Sequence, residues 1–411
     1  MNNSLLGLVC VLTLATSSAA QHTWIVDLAN RPGTDFLDLP AAVAAASPGD
    51  TLQVRFVAGQ NYTAPVIDRS LLILGDALQS PTVLGSIEVR SIPAGATLLL
   101  RDIKNGTSGV SGPGVVRGIY CHDNQGHLEF ENLGYGISPT QAIGGSTDIH
   151  GVTFERCALV TISHSMIWAS ILRTTVVDST VVATDTYFGE SSPLTSPVAS
   201  LETMFVQRSN LYLVDCTVIG GDGGLPNIYG LAAIMACDSH IRLAGSCDIQ
   251  GGYLYQSGIQ NFGIDVDGAC WPPAGHPAPI VDLDPHGIVS GYWPPPIQIT
   301  NIGPVPAVRW DLSPTQASLA ATQYSAPSSL TILVASNVAS VPVLTGIGPV
   351  FLDPSSLFVV DIGAASAAGV RNWSIAIPPG IPPGTSIALQ ALHLDTNGNL
   401  ALTNVVTPSV Y

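Results

Sequence analysis

Residues 36–54, FLDLPAAVAAASPGDTLQV, join a helical pattern to a strand pattern. Four apolar residues spaced three or four positions apart share one face of a short helix: Phe36, Leu39, Val43 and Ala46. Pro40 is compatible only with the first helical turn, so the helix is predicted to begin near Asp38 or Leu39. Pro48-Gly49 ends this helix, and the segment that follows is predicted to be a strand.

A four-residue pattern recurs through the middle of the chain. In each copy an apolar residue is followed two positions later by a polar residue and then by a small or apolar one. The copies lie at 100–103, 130–133, 154–157, 176–179 and 213–216 and start 30, 24, 22 and 37 residues apart. Such spacing is typical of solenoid coils with loops of variable length, which stack because one coil cannot bury its own apolar face.

Two longer stretches also match, with one inserted residue, and place cysteines at equivalent positions of neighbouring coils. Cys216 falls opposite Cys247, and Cys237 falls opposite Cys270. Stacked strands lie about 4.8 Å apart, within the Cα separation that a disulfide accepts. Both bridges are predicted, each worth about 2 to 4 kcal/mol; a column of buried free thiols is the alternative. The pairing of two further cysteines stays open: Cys121 and Cys157.

Residues 35–54, followed by Gly59 and Tyr62, resemble the N-terminal segment of the pectate-lyase-like right-handed parallel β-helix proteins. In that family a short amphipathic helix plugs one end of the solenoid, and the Pro-Gly-Asp turn leads into the first strand. An open solenoid end would expose core and unpaired backbone, so a cap is physically required. The resemblance implies an all-β protein, with a right-handed parallel β-helix over residues 21–296.

The pattern changes after a predicted linker at residues 297–304. Residues 305–411 contain alternating apolar runs separated by turn signals such as Asn397-Gly398. About seven short strands are predicted there, which indicates a β-sandwich. The closing residues are similar to the last domain of many secreted bacterial multidomain proteins, which implies a non-catalytic role in attachment or sorting. A sugar-binding module is an equal alternative.

Composition and charge narrow the function classes. Residues 1–20 hold no charged side chain, carry a short apolar run and end in small residues, so a secretory signal peptide is predicted. The protein is therefore expected outside the cell or on its surface, as a monomer without a membrane span. With 13 basic and 29 acidic residues the net charge is −16, which excludes a nucleic-acid partner.

The polar position of the repeat supplies candidate chemistry. If its copies stack in consecutive coils, Asp178, Asp215 and Arg156 would form a carboxylate pair with a basic partner, as acid–base catalysis or Ca²⁺ binding requires. The alternative is a structural polar ladder at a turn, in which Arg156 neutralises Asp178. Lyases of the resembling fold hold Ca²⁺ with carboxylates, so Ca²⁺ is implied only for a lyase, and otherwise no cofactor is expected.

Two further groups of residues are candidate binding sites. Four histidines within 43 residues would hold a metal or shuttle protons if the coils superpose them, and otherwise lie at turns or on the surface: His122, His127, His150 and His164. Five aromatic residues gather with prolines in the last coils: Tyr253, Tyr255, Trp271, Tyr292 and Trp293. Exposed aromatic rings stack on sugars, whereas buried ones would seal the C-terminal end of the solenoid.

Two functions are compatible with these patterns. One is a secreted or cell-surface β-helix protein with a carbohydrate-binding, adhesive or structural role. The other is a polysaccharide lyase or related carbohydrate-active enzyme, which only the resemblance supports. Three or more carboxylates converging with an arginine in one exposed groove of the solenoid would favour the enzyme.

Overall fold

The fold is known from a computed structural model of the chain. It describes residues 21–106, 118–134, 149–168, 173–189, 202–221, 232–252, 264–266, 279–284, 288–290, 299–312, 318–345, 347–377 and 385–410. Residues 1–20, which carry the predicted signal peptide, lie outside this part, so secretion stays a prediction.

The first two thirds of the chain form a parallel β-helix, in which each strand pairs in parallel with the strand one coil away. Its strands, in chain order, are β1 (Thr23–Val26), β2 (Thr51–Val54), β3 (Tyr62–Thr63), β4 (Val66–Ile67), β5 (Leu72–Leu74), β6 (Thr82–Leu84), β7 (Ile87–Arg90), β8 (Thr97–Arg101), β9 (Lys104–Gly106), β10 (Ile119–Glu131), β11 (Ile149–His150), β12 (Val152–Ser163), β13 (Met166–Trp168), β14 (Thr174–Val177), β15 (Thr180–Thr184), β16 (Tyr187–Gly189), β17 (Met204–Gln207), β18 (Asn210–Val214), β19 (Thr217–Ile219), β20 (Ile234–Cys237), β21 (His240–Ala244), β22 (Asp248–Gln250), β23 (Ile264–Val266), β24 (Ile280–Leu283), β25 (Ile288–Ser290) and β26 (Ile299–Ile302).

Three faces run along the solenoid. Sheet A contains β4, β7, the first halves of β10 and β12, then β14, β17, β20 and β23. Sheet B contains β1, β2, β5, β8, the second halves of β10 and β12, then β15, β18, β21, β24 and β26. Sheet C contains the short strands that complete each coil.

The core consists of inward side chains that stack in columns from coil to coil. One column in sheet B is aliphatic or aromatic at every described level, and all its members are buried: Leu52, Ile73, Leu100, Phe130, Ile162, Ala183, Leu213, Leu243 and Leu283. Most apolar positions of the repeat belong to this column or to the equivalent one in sheet A. The predicted all-β solenoid is therefore confirmed.

The predicted helix is present as α1 (Leu39–Ala45), and it packs over the first coils. Asp38 caps it by accepting a hydrogen bond from the Leu39 amide, and proline occupies the first turn. The Asp50 carboxylate in the following turn accepts from the amides of His22 and Ser47 at 2.9 and 2.8 Å. These bonds tie the end of the cap to the first strand of the solenoid.

Two corners of each coil are built on residues with left-handed backbone. The A–B corner has φ between 46° and 58° at Ser91, Asp123, Arg156, Asp178, Arg208 and Asp238. The B–C corner has φ between 47° and 54° at Asp102, Asn132, His164, Asp185 and Asp215, and 64° at Gly245. Aspartate and asparagine tolerate this conformation better than most residues do, which explains the polar position of the repeat.

The existence of two corners corrects the single column expected from the repeat. Arg156 and Asp178 belong to the A–B corner, whereas Asp215 belongs to the B–C corner. Both corners make the same turn after an inward apolar residue, so they impose the same local sequence pattern. Because the pattern is the same, only the strand pairing shows which corner a given copy occupies.

Buried side chains line the inside of the A–B corner. The Ser179 hydroxyl accepts from the Cys157 amide at 2.9 Å, the Ser209 hydroxyl from the Ser179 amide at 3.1 Å, and the Ser239 hydroxyl from the Ser209 amide at 3.2 Å. Backbone N–H groups at a corner point away from the strand ladder and need such partners when buried. The serine ladder therefore locks consecutive coils in register.

The cysteines differ in part from the prediction. Cys216 and Cys247 are buried free thiols, so the bridge predicted between them is wrong. Their sulfurs face backbone carbonyls 3.2 to 3.4 Å away, and stacked side chains run parallel instead of converging as a disulfide requires. Cys237 is disulfide-bonded, and Cys270, its predicted partner, lies outside the described residues. The two unassigned cysteines are also free and buried: Cys121 and Cys157.

The C-terminal part is an antiparallel β-sandwich. Its strands are β27 (Ala307–Leu312), β28 (Ser318–Tyr324), β29 (Leu330–Ser336), β30 (Val338–Thr345), β31 (Gly348–Leu352), β32 (Phe358–Ala364), β33 (Val370–Ala376), β34 (Thr385–Ser386), β35 (Ala388–Leu394), β36 (Leu400–Val406) and β37 (Ser409–Val410). Sheet β27-β28-β33 packs face to face on sheet β32-β29-β35-β36 around Trp310, Trp373 and Leu333. Strand β26, inside the predicted linker, still pairs with the solenoid.

The sandwich docks on the outer face of sheet B. Leu159, Val182 and Tyr212 of the solenoid pack with Phe351 and Val405 of the sandwich. Apolar surface is thus buried between the two parts as well as within each. Among the described residues, no helix has the length and apolarity needed to cross a membrane.

Candidate functional site

The predicted trio of Arg156, Asp178 and Asp215 does not converge. Asp178 accepts two hydrogen bonds from Arg208, both at 2.7 Å, while Arg156 donates to Asp123 at 2.5 and 3.1 Å. The A–B corner therefore carries residues of alternating charge in consecutive coils, a structural polar ladder, although Arg208 and not Arg156 pairs with Asp178. Arg208 beside Asp178 holds the pKa of that carboxyl below its usual value.

Asp215 instead fastens the sandwich to the solenoid. Its carboxylate accepts from the Tyr324 hydroxyl at 2.7 Å, from Arg309 Nη1 at 3.3 Å and from the Ser246 amide at 2.8 Å. The Asp215 side chain is only 8% exposed. A carboxylate that is buried and shared in this way positions two domains and has no free face for a substrate.

Gly245 gives Asp215 the space for these contacts. It occupies the B–C corner one coil further on, with φ of +64°, and a Cβ there would lie 2.3 Å from Asp215 Oδ1. We expect Gly245→Ala to lower the free energy of unfolding by about 2 kcal/mol, since the left-handed backbone and the displaced carboxylate both cost energy. Urea unfolding measures this, and Gly398→Ala is the control because its φ is +84° with nothing within 4 Å. An equal loss in both variants would show that only the backbone matters.

A second cluster lies beside Asp215 at the same corner. One ligand atom each from His164, Asp185 and Asp311 lies within 4.8 Å of the others. The Arg309 guanidinium, however, is 3.7 Å from Asp185 and 3.3 Å from Asp311. Burial lowers the pKa of His164, but the neighbouring carboxylates raise it above its ordinary value overall. The arginine thus supplies the positive charge that these carboxylates need.

An exposed cluster on sheet A brings together acidic, basic and aromatic side chains, and it is the best candidate for a ligand-binding site among the described residues. We call it the Tyr120–His122 cluster, and its members are Glu88, Tyr120, His122, Asp123, Glu155 and Arg156. They come from three consecutive coils, because β10 pairs with β7 on one side and with β12 on the other. Glu88 lies opposite Tyr120, and His122 lies opposite Glu155.

The members of the Tyr120–His122 cluster form a closed ring of contacts. His122 Nδ1 lies 2.8 Å from Asp123 Oδ2, and its Nε2 lies 3.3 Å from Glu88 Oε1. The Tyr120 hydroxyl donates to Glu155 Oε2 at 3.1 Å, and its ring stacks on His122 with centroids 4.6 Å apart. Arg156 closes the ring by donating to Asp123 and Glu155.

This ring, which Glu88 joins through His122, fixes Asp123 and Glu155 against the Arg156 guanidinium on an accessible surface, while Arg90 contacts Glu88. Arg156 and His122 hold the pKa of Asp123 far below its usual value, so that carboxylate is ionised and accepts hydrogen bonds only. The side chains are between one fifth and one half exposed, so a ligand in solution can reach them. The sequence missed this cluster because alternation within a strand does not reveal which coils face each other.

The other sequence-based candidates are separated or untested. His122 lies on sheet A, His127 on sheet B and His164 at the B–C corner, so the predicted histidine cluster does not form. His150 belongs to sheet C. The five aromatic residues proposed for sugar binding all lie outside the described part of the chain.

Comparisons with known proteins show a distant structural likeness to a solved structure. No protein-family model matches the chain. No curated protein matches it either. Among solved structures, the full-length tailspike protein 2 of Escherichia coli O157:H7 bacteriophage CAB120 aligns over 87% of this chain and 64% of that one, with 11% identity and a TM-score of 0.25. A likeness this distant bears on neither fold nor function, so the β-helix assignment rests on the strand pairing.

Proposed function

We propose that this protein binds an extracellular carbohydrate through the Tyr120–His122 cluster. The observation that carries the proposal is the closed ring of contacts that holds Glu88, Asp123 and Glu155 in fixed positions on exposed sheet A. Carboxylates held in this way accept hydrogen bonds from pairs of sugar hydroxyls, and such charge-assisted bonds are stronger than neutral ones. The stacked Tyr120 ring adds an apolar edge for the sugar ring.

The charge of the protein favours a neutral glycan as the ligand. The net charge of −16 repels a polyanionic polysaccharide at long range. Three carboxylates of the cluster outnumber the two arginines that contact them, Arg90 and Arg156, so the charge of the cluster does not offset this repulsion. A hydroxyl-rich glycan without acidic groups avoids it. The resemblance to pectate-lyase-like proteins agrees with carbohydrate recognition, although that resemblance is carried by the capping segment.

We expect Glu155→Gln to weaken binding of a neutral glycan about tenfold, because one charge-assisted acceptor is lost while the shape is kept. Calorimetric titration of the purified protein with neutral and acidic oligosaccharides, with and without Ca²⁺, measures the effect. Asp178→Asn is the matched control, since it alters an acid of similar exposure, 38% against 30% for Glu155, that lies three coils away from Glu88. Binding that both variants weaken equally, or that neither weakens, would contradict the assignment.

A polysaccharide lyase is the second candidate, and one observation favours it. Two carboxylates, Asp123 and Glu155, contact Arg156, and the Tyr120 hydroxyl lies against Glu155 as a proton-transfer group would. Carboxylates of this cluster would then hold Ca²⁺. Release of unsaturated products from a polysaccharide, abolished in Tyr120→Phe, would favour this function over simple binding.

A further inference from the structure

The sandwich carries a flat apolar face that lies outside its own core. Sheet β32-β29-β35-β36 has two outward rows of side chains, each running across all four strands. The first row is Ile362, Ile332, Leu392 and Leu402, and the second is Ala364, Leu330, Leu394 and Leu400. All eight residues are aliphatic, and each is partly or largely exposed, up to 56% for Ile362. We call these eight residues the aliphatic face.

The aliphatic face continues the surface that docks on the solenoid. Val334 and Ala388, further along β29 and β35 on the same side of the sheet, already pack against Leu159 and Val182 of sheet B. The near half of the outer side of this sheet is therefore already a packing surface. Its far half has no cover among the described residues.

The dimensions of the aliphatic face match a small interface. Four strands about 4.8 Å apart and two rows about 7 Å apart give roughly 300 Å². Exposed Val359 and Ile347 flank the rows and extend the surface to roughly 450 Å², the size of the largest apolar patch on a typical monomer, which is often functional. Two such surfaces in contact would bury about 900 Å², near the low end for specific association and appropriate to micromolar affinity.

The chemistry of the aliphatic face selects its occupant. It contains no aromatic ring and no hydrogen-bonding side chain, so it offers a glycan nothing to recognise. The net charge of −16 repels an anionic bilayer and, at long range, a second copy, a repulsion that salt screens. The face itself holds no charge that would oppose an identical face in contact. We propose that two copies of this chain associate by packing their aliphatic faces together across a twofold axis, sheet on sheet. The monomer expected from the sequence would then be the dissociated form.

Sedimentation analysis of the purified protein from about 1 to 200 µM tests the dimer. We expect a reversible dimer with a dissociation constant of about 10 µM. Ile362→Glu and Leu330→Glu should each raise that constant at least tenfold, because each places a carboxylate against an apolar surface. Ile288→Glu is the control: Ile288 is 62% exposed, but it lies on the solenoid, and its substitution should leave the dimer unchanged.

Urea unfolding checks that the variants fold. If Ile362→Glu does not fold, Leu400→Glu, at a 46% exposed position, replaces it in the same test. A wild-type protein that stays monomeric throughout the range would overturn the proposal. So would a dimer that Ile362→Glu and Leu330→Glu leave intact. Flotation of the wild-type protein with neutral phosphatidylcholine vesicles, lost in Ile362→Glu, would show that a lipid surface is the occupant instead.

Discussion

Replacing Asp215 by alanine is expected to lower the free energy of unfolding by about 3 to 5 kcal/mol, as measured by urea titration. The substitution removes the acceptor of Tyr324 and one partner of Arg309 at a junction where Asp215 is 8% exposed. Burial raises the pKa of Tyr324, so this hydroxyl stays protonated and needs an acceptor. An unpaired group at a desolvated junction costs more than a broken surface contact.

Asp178→Ala is the control for the loss at Asp215. Both aspartates have left-handed backbone, with φ of 49° and 52°, so the conformational cost of alanine is the same in the two variants. Asp178 pairs with Arg208 where their side chains are 38% and 40% exposed, and such a pair is worth about 1 kcal/mol at most. Similar losses in the two variants would show that Asp215 does not anchor the sandwich.

The contribution of His127 to the free energy of unfolding is expected to fall as the pH drops below 6.5, because this histidine must stay neutral in the folded protein. His127 is buried under the sandwich, with Nε2 2.8 Å from Thr161 Oγ1 and 3.5 Å from Thr407 Oγ1. Burial lowers the pKa of His127 from 6.5 to about 3. The unfolded chain therefore binds a proton below pH 6.5 that the folded chain does not. Over two pH units, this difference in proton binding lowers the free energy of unfolding by about 3 kcal/mol.

Comparison with His127→Gln isolates the effect of this histidine. Burial also raises the pKa of Glu131 from 4.5 to about 7, and that group has the opposite sign, since its contribution is lost as pH rises above 4.5. Urea unfolding at a series of pH values should therefore show wild type losing about 3 kcal/mol more than His127→Gln between pH 6.5 and about pH 4.5. Parallel stability curves for the two proteins would refute the role of His127.

The fold could be predicted from the sequence to a large extent because its causes are local. The spacing of Leu39 and Val43 specifies a helix face wherever that helix docks, and the capping segment of a solenoid must cover an exposed end. Phe36, expected on the same face, instead precedes the helix and forms a bridge with Val26. The polar residue of the repeat reflects the left-handed corner, which few residue types tolerate. Those constraints act within a few residues, so they can be recognised in the sequence without knowing which residues are in contact in the folded protein.

The candidate sites depend on contacts between residues that are distant in the chain. Asp178 and Asp215 follow the same local pattern, yet one pairs with Arg208 on the surface and the other holds Arg309 and Tyr324 of the sandwich. Cys216 and Cys247 lie in neighbouring coils as expected, but parallel stacking keeps their thiols free. The position of a residue in its coil therefore determined neither which residue an aspartate pairs with nor whether two stacked cysteines form a disulfide.

By itself, the sequence determined that this chain folds into a capped solenoid followed by a sandwich, because apolar periodicity and corner residues act on the nearby backbone. The tertiary structure decided which corner each polar residue occupies, which coils bring Glu88, His122 and Glu155 together, and where the sandwich docks. Loops of different length separate the coils, so the facing residues are set by strand register across the solenoid, which no spacing along the chain encodes.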